Sequence, residues 1–292
     1  MKSPIKSRGL IDIIIVNYNS TIALNSLLNS IDLYSTYKIN HILIIDNHSS
    51  DIHALSSTKH RFPIKIIRNK SNKGFSFAVN QGLSISTSKY VALINPDCTI
   101  NKSTFPTCLA ILENNSDIGI IGGLIRHPNN TIQFSTNSKP TFTTALFEFT
   151  NFKRLFPNNP ASQKFWNSNI YSSNVAIDVD ALCGAFMIIR NKHPNTKIYF
   201  DSNYFLYLED LDFCISHKNT NYRVVFNPHS SIHHMGGFSS KNKYNIVLRH
   251  WYHSRKRYFM KHLGIIRGSL LWIIFSLEEV ILKLIHPFDK YA

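Results

Sequence analysis

Between residues 11 and 125 the chain alternates short runs rich in Ile and Val with stretches of helical spacing. This rhythm limits the possible folds more than any other feature. The apolar runs are residues 11–16, 41–46, 64–68, 90–94 and 118–122, and the stretches between them that carry helical spacing are 22–31, 75–86 and 103–113. Continuous rather than alternating apolar runs describe strands covered on both faces, as in a parallel sheet. The β-α-β-α order predicts a doubly wound, mostly parallel α/β sheet flanked by helices. In such sheets ligands bind beyond the carboxyl ends of the strands. The 292 residues, 43% hydrophobic and 17% charged, suffice for one large domain or a domain with an appendage.

Just beyond three of these runs the chain places Asp and Asn. The first run ends in Asn17-Tyr18-Asn19-Ser20, the second in Asp46-Asn47-His48-Ser49-Ser50-Asp51, and the fourth in Asn95-Pro96-Asp97. Carboxylates and amides there can accept from a pyrimidine N3–H or from ribose hydroxyls, and Asp97 can also ligate a divalent cation through oxygen. Asn, Asp and Ser are also ordinary turn residues, so any one cluster has a purely structural reading. Asn72-Lys73-Gly74-Phe75, which opens a helix, is the nearest phosphate-like element. Neither a G-x-G-x-x-G nor a G-x-x-x-x-G-K-[ST] fingerprint is present, which disfavours a dinucleotide oxidoreductase or a P-loop kinase.

Residues 126–178 are rich in Asn, Ser, Thr, Pro and Phe and read as loops and short helices, a flap on the acceptor side. Residues 179–190 are predicted as one strand, 204–217 as a helix, and 222–226 and 230–234 as two strands. Within the helix, Leu208, Leu211 and Ile215 share one face, which turns Glu209 and Asp210 toward a groove or solvent. Either carboxylate could act as a general base near an acceptor hydroxyl, or the pair could be a solvated acidic turn. Downstream, His233-His234-Met235-Gly236-Gly237 combines a metal-ligand residue type with glycines that allow close backbone approach.

Taken in order, these segments resemble glycosyltransferase family 2, and within it the rhamnosyltransferase-like branch. The resemblance spans about residues 10–262 and includes Gly184-Ala185-Phe186-Met187, Phe200-Asp201, Phe205 to Asp212 and His234 to Ser240. It implies a GT-A fold, Rossmann-like, binding a nucleotide diphosphate-sugar. By position, Asn17, Asn19, Asp46 and Asn47 are expected near the base and ribose, and Lys73 and Gly74 near the nucleotide. Asn95-Pro96-Asp97 occupies the family's Asp-x-Asp position, so Asp97, completed by His234, is expected to hold Mg²⁺ or Mn²⁺. Asp210, beside Glu209, matches the expected catalytic base of an inverting transfer. The chain departs from the family pattern at Asn95, which replaces the first carboxylate, at Ser216, where Arg is frequent, and at Asn221, where Gly is usual.

The net charge of +15 calls for an anionic partner. Residues 241–267 interleave Lys241, Lys243, Arg249, Arg255, Lys256, Arg257, Lys261 and Arg267 with Trp251, Tyr252, Tyr258 and Phe259, and residues 269–285 are strongly apolar. The chain is therefore divided into a catalytic domain (1–240) and a basic, amphipathic helical region (241–292). That region suits the surface of an anionic leaflet, where the family's undecaprenyl-diphosphate-linked or other saccharide acceptor would be met. The alternative is a helix packed on the domain or on a second subunit of a homodimer. Lys2, Lys6 and Arg8 precede an apolar run too short for a signal peptide, and no segment reaches the length of a membrane span, so a cytoplasmic, peripheral location is expected. The four cysteines form no C-x-x-C pair and read as reduced thiols. A nucleic-acid-binding module would use the same basic tail but lacks any supporting motif. A sugar nucleotidyltransferase would need a glycine-rich basic loop where Asn17 to Ser20 stand.

Overall fold

The computed structural model describes residues 10–191, 198–218, 220–236 and 244–285. Lys2, Lys6, Arg8, Gly237, Lys241, Lys243 and the end of the His-Gly-Gly segment (238–240) lie outside the described residues. The strands are β1 (Ile11–Asn17), β2 (Ile39–Asp46), β3 (Ile64–Arg68), β4 (Tyr90–Ile94), β5 (Cys98–Ile100), β6 (Ile118–Arg126), β7 (Ile132–Gln133), β8 (Thr136–Asn137), β9 (Ile177–Asp178), β10 (Ala181–Leu182), β11 (Phe186–Arg190) and β12 (Arg223–His234). The helices are α1 (Thr21–Tyr34), α2 (Phe75–Ile85), α3 (Pro106–Asn114), α4 (Phe142–Glu148), α5 (Phe152–Leu155), α6 (Pro160–Trp166), α7 (Glu209–Lys218) and α8 (Tyr244–Ile285).

The main sheet runs β3-β2-β1-β4-β11-β6-β12-β5. Its first four strands are mutually parallel, as the apolar runs imply. The sheet is mixed, because β11 is inserted antiparallel to both β4 and β6. Strand β12 then runs parallel to β6, and β5 antiparallel to β12. The period of two in β1 explains why the sheet needs cover on both sides. Ile11, Ile13 and Ile15 pack with Leu24, Leu27, Leu28 and Ile31 of α1 and with α3. Ile14 and Val16 face the opposite way, onto Ala78, Val79 and Leu83 of α2. That second core also holds Leu211, Cys214 and Ile215 of α7 and Tyr258, Phe259, Leu271 and Phe275 of α8. Each fully buried Ile or Leu contributes roughly 1.5–3 kcal/mol relative to exposure.

Four predicted elements differ from the observed ones. Residues 179–190 do not form one strand: Phe186 N–H bonds Cys183 C=O in a turn, which separates β10, paired with β8, from β11. Residues 222–226 and 230–234 form the single strand β12, with its register against β6 shifted between Asn227 and Ser231. Pro228 lies in that interval and has no N–H for the ladder. The helix expected from residue 204 starts at Glu209, because Tyr207 (φ 71°) and Leu208 (φ 65°) are left-handed. Two side-chain-bearing residues in that region cannot extend a right-handed helix.

Helix α8 is two arms joined at Gly264 (φ 76°). The arms lie against each other: Arg255 pairs with Glu278 at 2.6 Å, Lys256 with Glu279 at 2.7 Å, and the Phe259 and Phe275 rings meet at 5.7 Å. Gly268 permits this approach, since a Cβ there would lie 2.8 Å from Met260 Cα. No helix among the described residues is long and apolar enough to cross a membrane.

Candidate active site

The carboxyl ends of β1, β2 and β4 open on one cavity of about 480 Å³, lined by residues that include Asn47, Gly74, Asn95, Asp97, Asp210 and His234. Behind its wall at the ends of β1 and β2 lies a buried polar network. Asn17 Nδ2 lies 3.0 Å from Asp46 Oδ1, 3.1 Å from Thr21 Oγ1 and 3.1 Å from Ser49 Oγ. Asp46 also accepts from Ser49 N–H at 3.3 Å and lies 3.4 Å from the Arg68 guanidinium. Thr21 donates through its N–H and its hydroxyl to Asp51, at 2.9 and 2.8 Å. Asn17 and Asp46 are fully buried and stand behind the cavity wall. Asn19, at φ 50°, accepts from the backbone and hydroxyl of Ser50 and does not line the cavity.

Asn47 links this network to the loop before α2. Its Nδ2 donates to Gly74 C=O at 3.0 Å, and its Oδ1 accepts from Lys73 N–H at 3.3 Å. Gly74 (φ 86°) has no room for a side chain, because a Cβ would lie 2.7 Å from Phe205 C=O. Phe75 N–H donates to that same carbonyl at 2.8 Å, so this loop is bound directly to the acid segment. Lys73 is exposed and does not line the cavity; what it contributes to the contact with Asn47 is its backbone.

The turn after β4 carries Asn95-Pro96-Asp97 to the cavity, and β12 brings His234 beside it across the β5 pairing. His234 Nε2 lies 3.2 Å from Asp97 Oδ1. Asp97 Oδ2 accepts from Gly236 N–H at 3.1 Å. The ligand atoms of Asp97, Cys98 and His234 all lie within 4.8 Å of one another, a set able to hold a metal ion. Cys98 fits that role poorly: its thiol contacts Ala185 C=O at 3.6 Å, and burial pushes its pKa well above the usual thiol range. One carboxylate oxygen and one imidazole nitrogen remain, a donor set compatible with Mn²⁺ or Mg²⁺.

The acid pair lines the same cavity. Asp210 Oδ2 accepts from Gly184 N–H and Oδ1 from Leu211 N–H, both at 2.8 Å. Burial nevertheless raises its pKa. Glu209 is only 7% exposed, and its Oε2 has no partner among the described residues. Burial first, and the neighbouring Asp210 second, raise its pKa well above the ordinary carboxylate value. Of the groove and the solvent that the spacing left open, the pair meets the groove, since both residues line the cavity. Leu208, although it precedes the helix, packs on the same core as Leu211 and Ile215.

Ile246, Val247 and His250 of α8 complete the cavity rim, with the His250 ring stacked on Phe205 at 3.9 Å. No motif in the sequence marked these three, nor Gly184 as the donor to Asp210. The basic residues of α8 are largely committed inside the molecule. Arg255 is buried against Tyr252, Phe275 and Glu278, Arg257 pairs with Asp201 at 2.7 Å, and Lys261 pairs with Asp212 at 2.8 Å.

Comparison with known proteins agrees with this geometry. The chain is 21% identical over 280 residues to the N-acetylglucosaminyl-diphospho-decaprenol L-rhamnosyltransferase of Mycobacterium tuberculosis, covering 91% of this chain and 89% of that protein. Among solved structures it resembles a mannosyltransferase from Pyrobaculum calidifontis in complex with GDP-Man and Mn²⁺, with TM-score 0.58, 13% identity, and 96% and 76% of the two chains covered. It also resembles S. aureus TarS in complex with UDP-GlcNAc, with TM-score 0.52, 14% identity, and 96% and 76% covered. These likenesses show the GT-A fold. The model of glycosyl transferase family 2 matches residues 12–182, more than half of the sequence, and the chain belongs to that family.

Proposed function

We propose that the protein is an inverting, metal-dependent glycosyltransferase that moves a sugar, rhamnose from dTDP-rhamnose first among candidates, onto a lipid-linked saccharide in surface-polysaccharide assembly. One observation carries the proposal: Asp97, His234 and Asp210 all line a single cavity. Asn47 and Gly74 border the donor side, while Asn17 and Asp46 stiffen it from behind. Asp97 and His234 would hold Mg²⁺ or Mn²⁺, which supplies charge to offset that building on the departing diphosphate. Asp210 takes the proton of the acceptor hydroxyl, whose oxygen attacks the anomeric carbon as the bond to the diphosphate breaks. Burial and the neighbouring Asp210 raise the pKa of Glu209, and Asp210, held by the Gly184 and Leu211 N–H groups, is the base in this reading. A raised pKa makes Asp210 a stronger base than an ordinary aspartate.

The acceptor reading rests on the rhamnosyltransferase relative, whose name specifies a polyprenyl-diphosphate substrate. It is supported by the second arm of α8. Ile266, Leu270, Ile273, Leu277, Ile281 and Leu284 recur at helical spacing, and all are exposed, Ile266 at 87% and Leu284 at 78%. With Trp272 and Lys283 at its border, this face suits the anionic inner leaflet of the cell membrane. The deciding experiment is a donor panel of dTDP-rhamnose, UDP-galactose, UDP-glucose, UDP-N-acetylglucosamine and GDP-mannose, scored for thermal shift and for Mn²⁺-dependent transfer. Turnover with a UDP-hexose alone replaces rhamnose, and no response to any donor overturns the enzyme reading. Flotation with anionic vesicles tests the membrane face. A soluble dimer that ignores vesicles assigns the face to a second copy instead.

A further inference from the structure

The two ring nitrogens of His234 have different partners. Nδ1 lies 3.0 Å from Oε1 of Gln133, and Nε2 lies 3.2 Å from Oδ1 of Asp97. An amide oxygen only accepts, so Nδ1 carries the proton and donates it to Gln133. In the neutral ring this leaves Nε2 as a bare lone pair, facing a carboxylate oxygen that also has only lone pairs to offer. Two acceptors held this close repel each other unless a proton or a metal cation joins them. Metal-binding histidines are oriented in this way: the far N–H is held by an acceptor, and the near nitrogen is freed for the ion.

The fold delivers Gln133 to this place by backbone pairing. Strand β7 pairs antiparallel with β6, with Gln133 opposite Ile125, and β6 is the parallel neighbour of β12, with Arg126 opposite His233. Strand β6 thus lies between β7 and β12, and the Gln133 side chain reaches His234 across it. Gln133 does not line the cavity.

We infer that Gln133 is a positioning residue, holding His234 with its proton on Nδ1 and its Nε2 lone pair turned toward Asp97 for a divalent cation. The inference rests on the reading that Asp97 and His234 bind that cation. Its rival is a rotated Gln133 amide that donates to Nδ1, which would place the ring proton on Nε2, bonded to Asp97. A carboxylate at this position accepts but does not donate, so Gln133→Glu separates the two. Mn²⁺ binding to the full chain in the presence of UDP, followed by EPR, is the first readout, and the ¹⁵N resonances of the His234 ring in metal-free protein are the second.

Gln133→Leu is expected to weaken Mn²⁺ about 10–100-fold, as loss of an outer partner does elsewhere, while Gln133→Glu retains the affinity. Wild-type His234 is expected to show a protonated Nδ1 and a bare Nε2. Equal losses in the Leu and Glu variants, or a protonated Nε2 in the wild type, would overturn the inference. So would an unchanged Mn²⁺ affinity in Gln133→Leu. Absence of Mn²⁺ binding by the wild type overturns the cation reading itself, whereas wild-type binding with an indifferent Leu variant defeats only the role of Gln133. Should the Leu variant fail to fold, the wild-type ring resonances and Gln133→Glu still decide the question.

Discussion

Two sets of carboxylates are treated in opposite ways: Glu209 and Asp210 line the cavity, whereas Asp46 and Asp51 do not. On the nucleotide side, Asp46 is met by Asn17, Ser49 and Arg68, and Asp51 by two groups of Thr21. On the acceptor side, Glu209 leaves one oxygen without a partner among the described residues, and Asp210 has only two backbone N–H groups. No Lys or Arg among the described residues forms a salt bridge with either. Compensated carboxylates hold a shape, whereas under-compensated ones hold protons tightly and release them at a higher pH. The contrast separates residues that build the site from residues poised to react in it.

The contrast is broken most directly at Asp210. Asp210→Asn is expected to lower transfer by about 10²–10⁴-fold while the donor still shifts the melting temperature. Full transfer by this variant would remove Asp210 as the base. Asn17→Ala should do the reverse. It removes a donor to a buried carboxylate, at a cost of about 1–3 kcal/mol in urea unfolding, and leaves the rate per folded molecule nearly unchanged. A large rate defect without destabilisation would show that Asn17 touches the donor after all.

The pH dependence sharpens the same comparison. Asp210 must be ionised to take a proton and burial raises its pKa, so the acid limb of kcat/KM should lie above the ordinary aspartate range. A limb at or below that range contradicts the buried-base picture. The smallest effect is expected from Glu209→Gln. The folded-state pKa of Glu209 lies above its unfolded value, so in that interval the native state binds more protons, and wild-type stability falls as pH rises through it. Removing the ionisable group should therefore stabilise the protein increasingly from about pH 4.5 upward. Melting curves at several pH values would show it, and a variant that loses stability at neutral pH would sink the prediction.

Much of the parallel half of the sheet is legible in the sequence, because β1, β2 and β4 are Ile- and Val-rich runs that need cover on both faces; β3 differs, being an exposed edge strand. The reversal of β11 is not. Phe-Met-Ile-Ile-Arg reads the same in either direction, and its orientation depends on the route of the residues preceding it. Asp97, Asp210 and His234 announce themselves because the resemblance marks them, the first and last at strand ends and Asp210 at the start of α7. Gln133, Ile246 and His250 do not, since each lies in a stretch without informative periodicity and gains its neighbours only through tertiary approach. The start of α7 at Glu209 is hidden for another reason. Tyr207 and Leu208 have no intrinsic preference for the left-handed region, so nothing local signals that the helix must begin after them.

The insertion of β11 also determines which pieces of this gene product can exist on their own. The span matched by the family model ends at residue 182, four positions before the strand that fills the space between β4 and β6. A fragment cut there would present two bare strand edges and lack β12, the ladder partner of β5 and β6. Unpaired edges of that length invite other chains to pair with them. During synthesis the growing polypeptide has the same exposure until residue 190 emerges, and expression boundaries drawn from the matched span alone should yield aggregates rather than a minimal enzyme.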